Sequence, residues 1–168
     1  MSLRGWTIET PAAPWSVVVD GDVVVASGFC DLTSLVDRLE GVGEEVEGGP
    51  ATGAVASAAR AFLDGDMGAL DAVTVRQPGG PFHQEVWQTM RQIPPGRTWS
   101  YAELATKAGR PAATRAAGTA CARNLIAPFV PCHRVVRSDG TLGGYAYGLP
   151  VKRWLLALES RQERVGVS

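Results

Sequence analysis

The first third of the chain alternates short apolar runs with turn residues, and this pattern predicts a small sheet. Residues 6–8, 15–19 and 23–26 are rich in Trp, Val and Ile, which are typical of strands. Asp20-Gly21-Asp22 separates the last two runs. Because Asp and Gly tolerate the positive φ of a tight turn, we predict a hairpin there and an antiparallel sheet.

Two segments of the same region have the periodicity of helices. Residues 32–39 place leucine and valine at helical spacing, with Asp31 or Thr33 available as the cap, and residues 54–63 form an alanine-rich run. Between them, the acidic and glycine-rich residues 41–50 predict a solvated loop, and residues 73–75 predict a last short strand. We find no catalytic constellation in this half of the sequence.

Residues 77–81 read Gln-Pro-Gly-Gly-Pro and are the predicted linker, since Pro and Gly disfavour continuing a helix or a strand. They divide an N-terminal α/β domain, residues 1–76, from a C-terminal domain, residues 82–168. The C-terminal domain opens with a helical apolar stripe that predicts one buried helix face and ends at Pro94: Phe82, Val86, Trp87, Met90 and Ile93.

The next two helices are marked by their ends. Ser100 and Glu103 have the spacing of a capping box, so a helix begins near Tyr101. Gly109 suits a left-handed C-cap, and Pro111 suits the first position of a second helix that runs to Ala122. Two helices joined so tightly predict a helix-turn-helix. By itself this motif would suggest a protein that reads sequence in the major groove.

The remaining pattern completes an α+β (mixed α/β) chain: a small antiparallel-sheet domain followed by a mainly helical domain. Residues 125–130 form an apolar run expected to pack as a wall leading to Cys132, residues 137–140 predict a turn, and Pro150 opens a final helix. The length of 168 residues and the 45% hydrophobic composition suffice for a buried core.

The charge is divided along the sequence. Residues 1–81 carry four basic against twelve acidic residues, a balance of −8, whereas the remainder carries twelve against five, a balance of +7. A basic half would attract a polyphosphate partner such as nucleic acid. The alternative is that the two halves attract each other.

The three cysteines, Cys30, Cys121 and Cys132, are too few and too scattered for a disulfide framework or a zinc cluster, which favours a reducing, cytosolic setting. No apolar run is long enough to span a bilayer, and the first fifteen residues lack the pattern of a targeting signal. We therefore expect an intracellular, cytoplasmic protein without a membrane anchor.

The chemistry concentrates in residues 130–136, Val-Pro-Cys-His-Arg-Val-Val. A thiol is a strong nucleophile only as thiolate, so a reactive cysteine needs a base or a positive charge nearby. His133 and Arg134 follow Cys132 directly, and Pro131 favours an abrupt bend that would present its side chain. The competing interpretation is that this Cys-His pair merely packs in an apolar segment.

The whole segment resembles the active-site signature of the O6-alkylguanine-DNA alkyltransferases, suicide repair proteins that move an alkyl group from guanine onto their own cysteine. Phe82, Val86 and Trp87 also match the family's Phe-x-x-x-Val-Trp pattern, and residues 100–105 match its Ser-Tyr-x-x-Leu-Ala pattern. The resemblance implies an N-terminal domain of ribonuclease H-like type. It further implies transfer to Cys132 without a metal or cofactor; Cys30 alone offers no zinc site.

The resemblance also implies roles for individual residues. Cys132 is the acceptor, His133 the base acting through a bound water, and Glu159 the group that fixes its tautomer, while Arg134 is structural. Tyr101 helps to rotate the nucleotide and donates to the departing guanine. Asn124 holds the backbone on both sides of the active-site turn.

The remaining implied roles concern substrate and DNA. The residues implied to bind guanine are Tyr145, Ala146 and Val135. The second helix is implied to enter the minor groove of double-stranded DNA, with Arg115 filling the gap left by the rotated nucleotide. Further implied DNA contacts are Arg110, Ala113, Ala116, Arg137 and Ser138. Tyr147 departs from the glycine of many relatives and is expected either to narrow the pocket or to make the loop less mobile.

Three other classes compete with this interpretation. An alkyltransferase-like protein would bind alkylated DNA without transfer, but it carries another residue, often tryptophan, at the position of Cys132. A helix-turn-helix regulator has no need of the Cys-His segment. A cysteine hydrolase places its His far away in sequence and needs an oxyanion site. The resemblance thus implies a monomeric, single-turnover repair protein for O6-alkylguanine and O4-alkylthymine.

Overall fold

The computed structural model describes residues 2–39 and 46–167, with side chains as far as residue 161. The chain forms two compact units. The first comprises Met1–Gln77 together with Leu125–Phe129, and the second comprises Pro78–Asn124 together with Val130–Ser168. Part of the predicted acidic loop, residues 41–45, lies outside the described residues.

A five-stranded sheet forms the frame of the first unit, in the order β4-β1-β2-β3-β5. Its strands are β1 (Leu3–Ile8), β2 (Trp15–Asp20), β3 (Val23–Gly28), β4 (Val46–Gly48) and β5 (Thr74–Val75). The predicted hairpin is confirmed, since β2 and β3 are antiparallel and Gly21 has a φ of 62°.

The sheet is mixed, so the prediction of an antiparallel sheet was wrong for its two outer strands. β4 pairs parallel with β1, and β5 pairs parallel with β3. Residues 46–48 had been assigned to a solvated loop. A strand that returns after an intervening helix can run parallel to its neighbour, which local hairpin signals do not reveal.

Two helices accompany the sheet, α1 (Leu32–Asp37) and α2 (Ala54–Leu63). Asp31 caps α1, as one of the two predicted candidates, by accepting a hydrogen bond of 2.8 Å from the Ser34 amide. The core of this unit includes an aromatic cluster: the Trp15 ring lies 5.6 Å from Phe29 and 6.2 Å from Phe62, measured between ring centroids.

Residues 125–129 belong to this first unit, although the sequence placed them in the C-terminal domain as a wall leading to Cys132. The Ser27 amide donates to the Leu125 carbonyl at 2.8 Å, and the Ser27 hydroxyl donates to the Ala127 carbonyl at 2.7 Å. The Phe129 ring lies 5.9 Å from that of Trp15. These apolar side chains are therefore buried in the core of the first unit.

The second unit is mainly helical. Its elements, in chain order, are α3 (Pro81–Met90), β6 (Trp99–Ser100), α4 (Tyr101–Lys107), α5 (Thr114–Ala122), a 3₁₀ turn (Cys132–Arg134), β7 (Val135–Val136) and α6 (Leu149–Val167). β6 and β7 pair in parallel. The predicted stripe on α3 is buried at Val86, Trp87 and Met90, and the Trp87 indole donates to the Ala120 carbonyl of α5 at 2.9 Å.

The predicted ends of α4 are confirmed. Ser100 and Glu103 form the capping box in both directions, and Gly109 follows the helix with a φ of 91°. The predicted start of α5 was wrong, because the helix begins at Thr114 and not at Pro111. Residues 110–113 instead form a turn in which the Ala113 amide donates to the Arg110 carbonyl at 2.9 Å. Proline suits the second position of such a turn as well as the first turn of a helix.

In the part of the chain that the structure describes, we find no helix that combines the length and the apolar character needed to cross a bilayer.

Candidate active site

Cys132 begins a single 3₁₀ turn that follows Pro131. The Cys132 amide donates to the Val130 carbonyl at 2.9 Å, which produces an abrupt bend at the cysteine. Cys132 is partly exposed, while both of its neighbours, Pro131 and His133, are buried. The turn therefore presents the thiol, as the sequence predicts.

The cavity beside this turn has a volume of about 250 Å³ and lies entirely within the second unit. One wall is the end of α5, where the side chains are small. The opposite wall is the loop before α6. The lining residues are Tyr101, Gly118, Cys121, Ala122, Asn124, Cys132, Gly144, Tyr145, Ala146 and Tyr147. The cavity thus brings together five residues with predicted roles in transfer or guanine binding: Cys132, Tyr101, Asn124, Tyr145 and Ala146.

His133 and Glu159 form a fully buried pair. The distance between His133 Nε2 and Glu159 Oε1 is 3.1 Å, and neither side chain is exposed. Arg134 also binds this carboxylate, with its Nε 3.0 Å from Oε1, and its Nη1 donates to the Ile93 carbonyl at 2.7 Å. Arg134 is therefore a structural group that anchors Glu159, as expected.

The pKa values of this pair are shifted by burial and by neighbouring charges. Burial holds the pKa of His133 below its ordinary value, although the Glu159 carboxylate opposes this effect. Burial alone would raise the pKa of Glu159, but the hydrogen bonds and charges of His133 and Arg134 outweigh it and lower that pKa to about 2. A neutral imidazole beside an ionised carboxylate carries its proton on Nε2, since the carboxylate can only accept.

The other imidazole nitrogen, Nδ1, is left with a lone pair. This atom is buried and has no hydrogen-bond partner among the described protein groups. A neutral, buried histidine with an accepting nitrogen has the electronic properties of a general base near neutral pH. His133 can thus take up a proton on the nitrogen opposite Glu159.

Tyr101 lies between the two walls of the cavity. A Cβ built on Gly143 would be 3.1 Å from the Tyr101 hydroxyl oxygen, and one built on Gly118 would be 3.9 Å from its ring. Gly143 has a φ of 72°. Only glycine combines that φ with so close an approach to the tyrosine hydroxyl. Burial raises the pKa of Tyr101, which keeps the hydroxyl protonated as a donor.

Tyr145 and Tyr147 meet edge to face in the loop wall, with ring centroids 5.7 Å apart. The Tyr145 hydroxyl oxygen is buried and has no hydrogen-bond partner among the described residues. Tyr147, the departure from the family pattern, thus occupies space at the cavity and supports the ring of Tyr145.

Lys152 is the residue that sequence reasoning missed. Its side chain is buried, and its ammonium donates to the carbonyls of Val135 at 2.8 Å, Gly144 at 3.3 Å and Leu142. It also interacts electrostatically with Cys132. Lys152 therefore joins the strand after the reactive turn to the loop that carries Tyr145, and it places a positive charge near the thiol. A lysine next to the exposed Arg153 on a helix gives no sequence signal of burial.

Replacing Lys152 with methionine is expected to lower the rate of reaction at Cys132 about tenfold, because a nearby cation stabilises the thiolate. The measurement is the rate of iodoacetamide modification of Cys132 as a function of pH, which should move to higher pH in the variant. Arg153→Met removes an exposed charge from the neighbouring position and should leave the profile unchanged. Equal profiles for both variants would contradict this role.

Asn124 is buried where α5 leads toward the reactive turn. Its side-chain amide donates to the Val130 carbonyl at 2.8 Å, and its own amide contacts the Cys121 carbonyl at 3.3 Å. Val135, predicted to bind guanine, is instead buried in β7, is absent from the lining of the cavity and offers its carbonyl to Lys152.

The residues predicted to contact DNA lie at the surface of the second unit. Arg110, Arg115, Arg137 and Ser138 are exposed, and Ala113 and Ala116 are half-buried. A second cavity, of about 550 Å³, borders α5 and is lined in part by Arg110, Ala116 and Arg123. The Arg110 guanidinium lies over the Phe82 ring, 5.0 Å from its centroid. The exposed side chains of Arg110 and Arg123 thus line this cavity together with Ala116 of α5.

A presented thiol, a buried histidine base and an adjoining cavity define a protein with a nucleophilic cysteine. Comparisons with known proteins identify the family. Residues 81–161 match the model described as 6-O-methylguanine DNA methyltransferase, DNA binding domain. A methylated-DNA--protein-cysteine methyltransferase from Mycobacterium leprae is 38% identical over 159 residues, which are 93% of this chain and 92% of the relative. The chain belongs to the methylated-DNA--protein-cysteine methyltransferase family.

Two further matches extend the comparison. The protein of the same name from Shigella flexneri is 42% identical over 107 residues, or 64% of this chain and 63% of the relative. The match therefore spans less than two thirds of that relative's length. The crystal structure of Mycobacterium tuberculosis OGT in complex with DNA has a TM-score of 0.75 and 33% identity, and the match covers 95% of this chain and 94% of that one.

Proposed function

We propose that this protein repairs double-stranded DNA by transferring the alkyl group of O6-alkylguanine, and of O4-alkylthymine, to Cys132. The observation that carries the proposal is the presentation of Cys132 in a cavity beside the buried His133–Glu159 pair. The relatives' names describe transfer from methylated DNA to a protein cysteine.

The proposed reaction is an in-line displacement. The Cys132 thiolate attacks the alkyl carbon, the bond from that carbon to the O6 oxygen breaks, and guanine leaves. His133 takes the thiol proton through a water at Nδ1, and Glu159 stabilises the resulting imidazolium. Tyr101 donates to the departing guanine. The thioether has no leaving group, so one molecule repairs one lesion without a metal or organic cofactor.

The cavity is proposed to hold the rotated nucleotide. Tyr145 stacks on the base and Ala146 offers its backbone. Val135, the third residue assigned to guanine binding, is connected to the loop of these two residues by the Lys152 ammonium. Asn124 fixes the reactive turn. Chemistry on a base inside a duplex requires such extrusion, at a cost of a few kcal/mol that is smaller for a poorly paired base.

We further propose that α4 and α5 act as a helix-turn-helix whose second helix enters the minor groove. Arg115 fills the gap in the base stack, and the small side chains of Ala113 and Ala116 allow a close approach. Arg110, Arg137 and Ser138 contact phosphates. The related structure from Mycobacterium tuberculosis is a complex with DNA. Residues 82–168 without Leu125–Phe129 form the catalytic and DNA-binding domain, residues 77–81 the linker, and the N-terminal domain, residues 1–76 together with Leu125–Phe129, is of ribonuclease H-like type. The protein acts as a cytoplasmic monomer.

The test is intact-mass analysis after incubation with a duplex that contains one O6-methylguanine. The expected result is a gain of one methyl group, mapped by peptide analysis to Cys132, and no gain with the same duplex carrying unmodified guanine. Unchanged mass together with retained binding to the damaged duplex would favour the alternative, a non-transferring protein of the alkyltransferase-like type. The cysteine at position 132 argues against that alternative.

A further inference from the structure

A second thiol lines the same cavity as Cys132. Cys121 lies in the last turn of α5 and is partly exposed, and both cysteines contribute to the wall of the 250 Å³ cavity. The third cysteine, Cys30, belongs to the first unit. None of these three described residues forms a disulfide in this structure. The proposed reaction uses Cys132 and gives Cys121 no part.

Hydrogen bonds of Asn124 link the chain segments that carry the two cysteines. The Asn124 amide donates to the Cys121 carbonyl at 3.3 Å. The Asn124 side chain donates to the Val130 carbonyl at 2.8 Å, and the Cys132 amide donates to the same oxygen at 2.9 Å. Three hydrogen bonds thus connect the end of α5 to the reactive turn.

The two cysteines share one charged neighbour, Lys152. The Lys152 ammonium interacts electrostatically with both sulfur atoms, and the Cys132 sulfur contributes to raising the pKa of Cys121. Burial raises the pKa of Cys121 well above its ordinary value, and the Lys152 ammonium opposes this effect. Cys121 is therefore the poorer first nucleophile, and in the second step it gives up its proton as its sulfur attacks. Cys132, which sits at the bend beside His133, is the thiol that meets an incoming electrophile first.

We propose that Cys121 is a resolving thiol that protects Cys132 from irreversible oxidation by peroxide. The Cys132 thiolate attacks one oxygen of hydrogen peroxide, the oxygen–oxygen bond breaks, and Cys132 becomes a sulfenic acid as hydroxide leaves. The Cys121 sulfur then attacks the sulfenic sulfur, a disulfide forms, and the sulfenic oxygen leaves with the Cys121 proton as water. Two thiols and one peroxide thus give one disulfide and two waters.

The consequence for repair rests on the proposed function. A disulfide between Cys121 and Cys132 blocks repair because Cys132 is the proposed acceptor of the alkyl group. A Cys121–Cys132 disulfide would remove the acceptor reversibly, since an added dithiol restores both thiols by exchange. Without a resolving partner, a sulfenic acid proceeds to sulfinic and sulfonic acids, which simple thiols do not reverse.

The experiment exposes the full chain to hydrogen peroxide and follows intact mass and peptides without a reductant. The expected product is loss of two hydrogen atoms with a peptide that links Cys121 to Cys132. Cys121→Ser is expected to gain oxygen atoms on Cys132 instead. After dithiothreitol, unaltered protein should recover about fivefold more of its own starting methyl-acceptor capacity than the variant recovers. Cys30→Ser is the matched control and should behave as the unaltered protein does.

The cross-linked peptide is read in unaltered protein, so a folding defect of the variant does not obscure the result. Oxygen uptake on Cys132 in unaltered protein, without the linked peptide, overturns the proposal. Methyl uptake from an O6-methylguanine duplex is measured on untreated samples of the same preparation. A protein that forms the disulfide but takes up no methyl group supports the resolving role of Cys121 and contradicts the proposed repair function.

Discussion

Replacing Glu159 with glutamine is expected to lower the rate constant for methyl transfer about 100-fold, because His133 loses the carboxylate that stabilises its imidazolium. The same change is expected to lower the free energy of unfolding by about 3 kcal/mol, since it leaves the Arg134 guanidinium buried without its ion pair. The pair is fully enclosed, with neither Glu159 nor His133 exposed on its side chain. Both effects arise from one carboxylate.

The measurements are single-turnover transfer from an O6-methylguanine duplex and urea unfolding between pH 2 and 7. Because the pKa of Glu159 falls from 4.5 to about 2 on folding, its stabilisation is complete above pH 4.5 and is lost as the pH falls toward about 2. The variant should lack this part of the pH dependence. Glu85→Gln removes an exposed carboxylate from α3 and is the matched control. A variant that matches this control in both measurements would contradict the assigned role.

The titration of His133 adds a second pH dependence to the stability of the protein. Burial lowers the pKa of His133 from its ordinary value of 6.5. The unfolded chain therefore takes up a proton at a higher pH than the folded protein, so the contribution of His133 to stability is complete above pH 6.5 and weakens below it. The transfer rate should persist below pH 6.5 and fall only where His133 itself becomes protonated.

Replacing Arg115 with alanine is expected to slow methyl transfer in duplex DNA about 100-fold while changing the reaction with free O6-benzylguanine less than about twofold. The reason is that Arg115 is proposed to occupy the gap left by the extruded nucleotide, a step that costs a few kcal/mol. A free base requires no extrusion. Arg115 is exposed near the start of α5 and is not among the residues that line the cavity.

The matched control for this prediction is Arg153→Ala, which removes one exposed positive charge from α6. It accounts for the general loss of attraction to phosphates, and it should reduce duplex repair far less than Arg115→Ala does. Equal losses of the Arg115 variant with duplex and with free base would show that it damages the site and not the extrusion step.

The sequence was informative wherever the determinants of structure are local. The capping box at Ser100 and the left-handed Gly109 depend on neighbours within a few residues, and both were predicted correctly. The bend at Cys132 was also predicted correctly, because Pro131 restricts the backbone there. The start of α5 was misplaced because Pro111 suits a turn and a helix start equally well.

Other features depend on partners that are distant in sequence. Lys152 was missed because its three carbonyl partners come from β7 and from the loop before α6. The outer strand β4 was read as a loop because three residues beside a glycine-rich run carry no clear alternation. The burial of Glu159 depends on His133 and Arg134, so periodicity along α6 alone could not separate it from a solvated carboxylate.

The segment Leu125–Phe129 belongs to the first unit, and this limits how the protein can be divided into fragments. The Asn124 side chain donates to the Val130 carbonyl at 2.8 Å and so joins the two ends of this segment. Ile126 to Phe129 are almost entirely buried. A fragment starting at Pro78 would expose this apolar segment to water, which favours aggregation. We therefore expect that residues 78–168 do not fold as an autonomous module, and that chimeras which exchange the first unit between relatives must exchange these five residues as well.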